Sequence, residues 1–160
     1  MNRSNRIGKH LRLTNYDYSQ AGAYFVTFCV KDRLPLLSQV CPSDNAIDPP
    51  VVRLSSFGSL TEEAILQIPE RYSGTQVDAY VIMPNHVHLL VCLPSESGPK
   101  LGRIIQHLKG FVTKQCGQAI WQDKYYDHAV RNEADYRTKY QYILDNPAKW
   151  AEDEYYSSLK

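Results

Sequence analysis

Two histidines separated by one residue, His86 and His88, open an apolar run patterned as a buried strand. Side chains alternate along a strand, so both imidazoles face one way and Val87 the other. Adjacent imidazoles on a rigid strand can chelate a divalent metal. The plainer alternative is two strand-end histidines hydrogen-bonded to local partners. Cys92 shares their face but would lie roughly 13 Å along the strand from His88, too far to join the same ion. His107 falls in a helical stretch, and no spacing demands that His128 join the pair.

The second group with chemistry is near the C-terminal end. Twelve tyrosines make any one of them weak on its own, so helical phase has to sort them. Tyr136, Tyr140, Ile143 and Pro147 recur at i, i+4, i+7 and i+11 and form an apolar stripe. Tyr142 lies off the stripe, on a face with Asp135, Thr138, Lys139 and Asn146. Phase alone leaves it either an ordinary exposed tyrosine or a nucleophile. A phenol can attack a phosphodiester in line and hold the phosphate covalently until the strand is rejoined. A metal beside it would polarise a non-bridging oxygen and stabilise the charge of the transition state. Asn146, one turn beyond Tyr142, offers a side-chain carbonyl as a third protein ligand. Two imidazoles and an amide oxygen suit Mg²⁺ or Mn²⁺. Lys139, one turn before Tyr142, would ease loss of the phenolic proton. Arg3, Arg6, Arg131 and Lys139 are candidate phosphate contacts, though such residues are more often plain surface bases. Trp121, Tyr125 and Tyr126 offer either base stacking or core packing.

The elements that must position these groups follow from pattern. Residues 22–30 (GAYFVTFCV) are β-branched and aromatic, and read as a buried strand. Residues 42–50 are a polar, proline-rich loop, and 51–55 a short strand. Residues 59–72 read as a helix with Thr61, Glu62 and Glu63 at its start. Residues 77–83 and 86–93 make a hairpin with Pro84-Asn85 at the corner. Residues 101–116 have helical spacing ended by Gly117. Residues 119–131 read as irregular or extended. A last helix over 133–145 is stopped by Asn146-Pro147. The order predicts an α+β fold in one domain over 1–160, an antiparallel sheet with helices on one face.

Bulk properties exclude some classes. With 160 residues, 43% of them hydrophobic, the chain can bury a sizeable core, and no apolar run approaches a membrane span. The basic start lacks a secretory apolar region, so a cytoplasmic location is expected. Cysteines 29, 41, 92 and 116 fit no zinc-ribbon spacing and read as reduced thiols. Net charge is only +1, yet Arg3, Arg6, Lys9 and Arg12 cluster without acids, and residues 100–139 carry a basic excess. These two local basic regions could bind phosphates, or equally be ordinary solvated faces.

Residues 80–91 (YVIMPNHVHLLV) resemble the HUH motif (histidine, hydrophobic residue, histidine) of one-tyrosine transposases. Residues 121–150 (WQDKYYDHAVRNEADYRTKYQYILDNPAKW) resemble the tyrosine helix of the same group, and RSNR at 3–6 and GAYFVTFCV at 22–30 are also similar to it. The combination resembles REP-associated tyrosine transposases over nearly the whole chain. The resemblance implies an RRM/ferredoxin-like HUH endonuclease fold, His86 and His88 as the metal pair, and Tyr142 as the nucleophile. Asn146 falls where insertion-sequence relatives carry a Gln ligand and is one methylene shorter. The implied reaction is cleavage and rejoining of single-stranded or hairpin DNA through a 5′-phosphotyrosine, by a monomer or a homodimer. Two other readings compete. One is a non-catalytic RRM-like module that binds single strands. The other is a zinc hydrolase using His86, His88 and His128.

Overall fold

The computed structural model describes residues 5–7, 22–95, 97–153 and 155, with Asn5–Ile7 described by backbone alone. In chain order its elements are β1 (Asn5–Ile7), β2 (Ala23–Val30), β3 (Ser38–Cys41), β4 (Val51–Leu54), α1 (Ser56–Leu66) and the single turn α2 (Ile68–Arg71). They continue with β5 (Gln76–Ile82), β6 (His86–Cys92), α3 (Leu101–Cys116), β7 (Trp121–Ala129) and α4 (Glu133–Asp145). Five strands form one antiparallel sheet in the order β1-β5-β6-β2-β7, and β3 pairs with β4 in a separate ribbon. This is the expected α+β architecture, with the histidine-bearing strand β6 at the middle of the sheet.

Every residue of β6 is buried, so its two faces need two covers. Val87, Leu89 and Val91 pack with Val26, Phe28 and Ile82 under α1 and α3, through Ala64, Ile65, Ile104, Ile105 and Leu108. Leu90 and Cys92 pack with Ala79 and Val81 on the other face, under Tyr136 and Ile143 of α4 and Trp150 beyond it. Helices therefore cover both faces, where the sequence pattern suggested one. The Tyr136–Ile143 stripe of α4 closes the face that α1 and α3 leave open.

Local chemistry explains the other departures. The first helix starts at Ser56, because the Ser55 hydroxyl caps it by accepting the Gly58 N–H at 3.1 Å. Gly58 must lack a Cβ, since one built there would meet the Leu37 carbonyl oxygen at 2.1 Å. Thr61, expected near the start, lies inside α1 and donates to the Phe57 carbonyl. Pro69 has no N–H to carry α1 onward, so the helix breaks at Gln67 and resumes as α2. Residues 121–129 take the extended alternative, a strand along β2 with a register shift between Phe28 and Val30. Gly117 ends α3 in the left-handed conformation, with φ of 77°. Asn132 caps α4, its side-chain oxygen accepting the Asp135 N–H at 2.8 Å.

Three backbone bonds hold the β5–β6 corner. Met83 donates to the His86 carbonyl, Val30 to that of Asn85, and Leu37 to that of Pro84, each at 2.9 Å. The corner that presents His86 is thus tied to β2 and to the loop after it. None of the four cysteines forms a disulfide. Among the described residues, no helix is long and apolar enough to cross a membrane.

Candidate active site

The β6 face turned toward α4 starts with two imidazoles. His86 Nδ1 lies 2.8 Å from Asn85 Oδ1. The Asn85 amide nitrogen donates to the carbonyls of Tyr155 at 3.1 Å and Arg33 at 3.3 Å. This fixes Oδ1 as the acceptor end, so His86 carries its proton on Nδ1 and keeps a lone pair on Nε2. His88 Nδ1 is engaged by Thr27 Oγ1 at 2.7 Å, from the residue directly opposite it in β2. The two rings lie 4.7 Å apart between centroids. Outer partners of this kind orient histidines that bind metals.

Among the described residues, both Nε2 atoms are buried without a hydrogen-bond partner, and so is Asn146 Oδ1. Buried unpaired polar atoms cost about 1–3 kcal/mol each, so a local group of them calls for a functional reason. Electrostatics keeps the rings neutral. Burial lowers the His86 pKa to about 3, opposed by the nearby Asn146 side chain and helped by the Arg33 charge. Asn146 is close enough to favour a protonated His86, but the two make no well-formed hydrogen bond. His88 is held well below its ordinary value by burial first, then by His86 and Lys139. Neutral imidazoles are the form that binds metal.

Helix α4 delivers the remaining groups. Asn146 follows its last turn and is 3% exposed; its amide nitrogen donates to Asp153 Oδ2 at 3.2 Å. That bond leaves Oδ1 as the unpaired end. Tyr142, one turn earlier, is 42% exposed, with its ring edge-on to His88 at 5.2 Å and to Phe25 at 5.8 Å. The fold therefore brings His86, His88, Tyr142 and Asn146 into one cluster. Lys139 joins its margin, with Nζ 5.3 Å from the Phe25 ring centre. Arg131 is exposed between β7 and α4, and its described bond is from its backbone N–H to Asp135. Arg3 and the Arg6 side chain lie outside the described residues.

Other candidates are placed elsewhere. The His128 imidazole pairs with Asp135 at 2.7 Å, which removes it from a three-histidine zinc set. Trp121 is core, packed on Phe28 at 5.0 Å; Tyr125 is half-buried, and Tyr126 is exposed. His107 bonds the Tyr72 hydroxyl.

Several site residues escaped the sequence reading. Asn85 had a usable signal, standing directly before the histidine pair. Thr27 and Phe25, which stacks on His88 at 5.1 Å, become visible only through the β2–β6 register. Asp153 read as part of an acidic tail, yet its side chain is 3% exposed and 3.9 Å from His86 Nε2. Tyr155 stacks on the His86 ring at 4.3 Å, and the Arg33 guanidinium sits 4.9 Å from the Tyr155 ring.

A divalent ion can be tested against these donors. The unpaired atoms are two imidazole nitrogens and an amide oxygen, a set compatible with Mn²⁺ or Mg²⁺. Among the described residues, no three His, Cys, Asp or Glu side chains gather as a metal-binding group. The donors fit an ion only when the Asn146 oxygen is counted with the imidazoles.

Comparison with known proteins yields a consistent set of relatives. An uncharacterized protein of Haemophilus influenzae is 27% identical over 173 residues, covering 92% of each chain. The REP-associated tyrosine transposase of Escherichia coli is 28% identical over 133 residues, covering 82% of this chain and 70% of its own. A solved REP-associated tyrosine transposase bound to a REP hairpin matches with a TM-score of 0.63 at 25% identity, over 88% of this chain and 74% of that one. No family profile matches the chain.

Proposed function

From the premise that this chain is a relative of the REP-associated tyrosine transposases, we propose that it cleaves and rejoins single-stranded or hairpin DNA through a covalent bond to Tyr142. The observation that carries this reading is the meeting of three unpaired buried donors, His86 Nε2, His88 Nε2 and Asn146 Oδ1, beside a solvent-accessible tyrosine. Binding alone gives no reason to bury such donors.

His86, His88 and Asn146 would hold Mg²⁺ or Mn²⁺, which when bound supplies Lewis-acid polarisation of the scissile phosphate. Asn85 and Thr27 orient the two rings. The chain's own steps concern the nucleophile. Tyr142 loses its phenolic proton, and its oxygen bonds to phosphorus. The bond from phosphorus to the 3′ oxygen breaks, and that oxygen takes up a proton and departs as a 3′-OH. The product is a 5′-phosphotyrosine, and attack by a 3′-OH reverses the steps to rejoin the strand. Lys139, three residues before Tyr142 on α4, would favour the phenolate and the incoming phosphate by its charge.

The test uses labelled hairpin DNA with the full chain in Mn²⁺, in Mg²⁺ and in EDTA. Cleavage in metal alone, lost with His86→Ala, is the expected result. Tight hairpin binding in EDTA with no cleavage under any condition would favour a non-catalytic binding module and contradict the proposal.

A further inference from the structure

Tyr126 is the most exposed tyrosine among the described residues, at 72%. Its place in the sheet makes that exposure informative. Tyr126 stands directly opposite Thr27 in the β2–β7 pairing, and Thr27 stands directly opposite His88 in the β2–β6 pairing. Residues opposite one another in a sheet share a face. Tyr126, Thr27 and His88 therefore form one row across the face that carries the site. The row spans two strand spacings, about 10 Å. Its inner end lies beside the Tyr142 ring, which is edge-on to His88.

Helix α4 explains why the outer end is open. It packs on β5 and β6, with Tyr136 and Ile143 in the core beneath it. One of its sides reaches further, along Asp135, Lys139 and Tyr142 at i, i+4 and i+7. Asp135 pairs with His128 of β7 at 2.7 Å, Lys139 lies over the Phe25 ring of β2, and Tyr142 meets Phe25 and His88. The helix is thus tied to β7 at His128, two residues along from Tyr126, and leaves Tyr126 uncovered. What remains is an open strip of sheet with an aromatic ring at one end, the nucleophile at the other and a lysine along its margin. The other aromatics of β7 lie elsewhere, because Trp121 and Tyr125 pack with the α1/α3 cluster on the opposite face.

A single DNA strand matches this strip. Every base has a face that stacks on an exposed aromatic ring, and its phosphates are drawn to lysine. A base lying on Tyr126 directs its backbone toward Lys139 and Tyr142. We infer that Tyr126 is the stacking platform for a nucleobase of the strand entering the site, and so positions that strand for Tyr142. This rests on the DNA-cleavage reading proposed above.

The test uses the full chain and hairpin DNA with single-stranded arms, with 2-aminopurine replacing one arm base at a time. Binding is followed in EDTA by the probe's fluorescence, and cleavage in Mn²⁺ by initial rates. In the wild type, the fluorescence should be quenched on binding at one arm position. Tyr126→Ala should abolish that quenching, weaken binding by about 5–150-fold and lower kcat/KM by a similar factor, with an unchanged melting temperature. Tyr126→Phe and Tyr126→Trp should restore all three DNA readouts, since stacking needs a ring and not the hydroxyl. Wild-type affinity and quenching in Tyr126→Ala overturn the inference, and so does failure of both ring-bearing variants to restore them. Absence of cleavage by the wild type overturns the covalent reading instead, and the quenching in EDTA still decides the role of Tyr126.

Discussion

The two faces of strand β6 are built from alternate residues of one seven-residue segment, yet they obey different rules. On the α1/α3 face, Val87, Leu89 and Val91 pack in a cluster of apolar side chains. On the α4 face, His86 and His88 take equivalent positions beside Leu90 and Cys92 and expose unpaired nitrogens to one another, to Asn146 and to Asp153. The difference separates stability from function within a single strand. The first face can hold the second rigid because it asks nothing of the site, and the second can carry uncompensated polarity because the first supplies the core.

Substitutions can break that division. The largest effect on activity is expected from His88→Ala, which removes a donor on the α4 face. DNA cleavage should fall by about 10³-fold, worth roughly 4 kcal/mol of transition-state stabilisation, while the chain stays folded by circular dichroism. Leu89→Ala, one residue away on the other face, should do the converse. A buried leucine truncated in a packed core costs about 2–5 kcal/mol, readable by urea unfolding, with Mn²⁺ affinity per folded molecule unchanged. Loss of affinity in that variant would show that the faces are not independent. Thr27→Val keeps the strand but removes the partner of His88 Nδ1. It should weaken Mn²⁺ binding by about 10–100-fold and change thermal stability much less than Leu89→Ala does.

Acidification sharpens the comparison in a further way. The unfolded His86 titrates near its ordinary 6.5, whereas the folded one is held at about 3. Below pH 6.5 the unfolded chain binds a proton that the folded chain refuses, so stability must fall as pH falls. The window runs from 6.5 down to about 3, at up to about 1.4 kcal/mol per pH unit for this residue. His88, shifted in the same direction, adds to the slope. Unfolding in EDTA across that range checks it. A His86→Leu chain should show a shallower decline, and an equal slope would mean that the ring is protonated in the folded state.

The apolar run of 86–93 after the Pro84-Asn85 corner, the helical spacing in 101–116 and the i, i+4, i+7 stripe of the last helix were enough to read the central hairpin, the two long helices and the α+β class from residues alone. Strand geometry placed both imidazoles on one face. What stayed hidden depends on pairing and on chain reversal. Thr27 meets His88 because β2 runs antiparallel to β6 in one register, which no local pattern states. Asp153 meets His86 because the chain turns back after Pro147 through the short helix Trp150–Glu152, so an apparently solvated acid ends up buried. The mixed composition of 121–129 left the reading open between irregular and extended, and it suits an edge strand paired on one side among the described strands. The second covered face was missed because strands apolar on both sides do not announce how the helices divide between them.

The central claim is that Tyr142 forms the covalent bond to DNA. Its most direct test is intact-protein mass spectrometry after incubation of the chain with hairpin DNA and Mn²⁺, comparing wild type with Tyr142→Phe. The account predicts a protein–DNA adduct in the wild type that maps to the peptide containing Tyr142. Because Tyr142 is partly exposed, Tyr142→Phe should remain folded and bind Mn²⁺ but form no adduct. An adduct that persists in Tyr142→Phe would contradict the account.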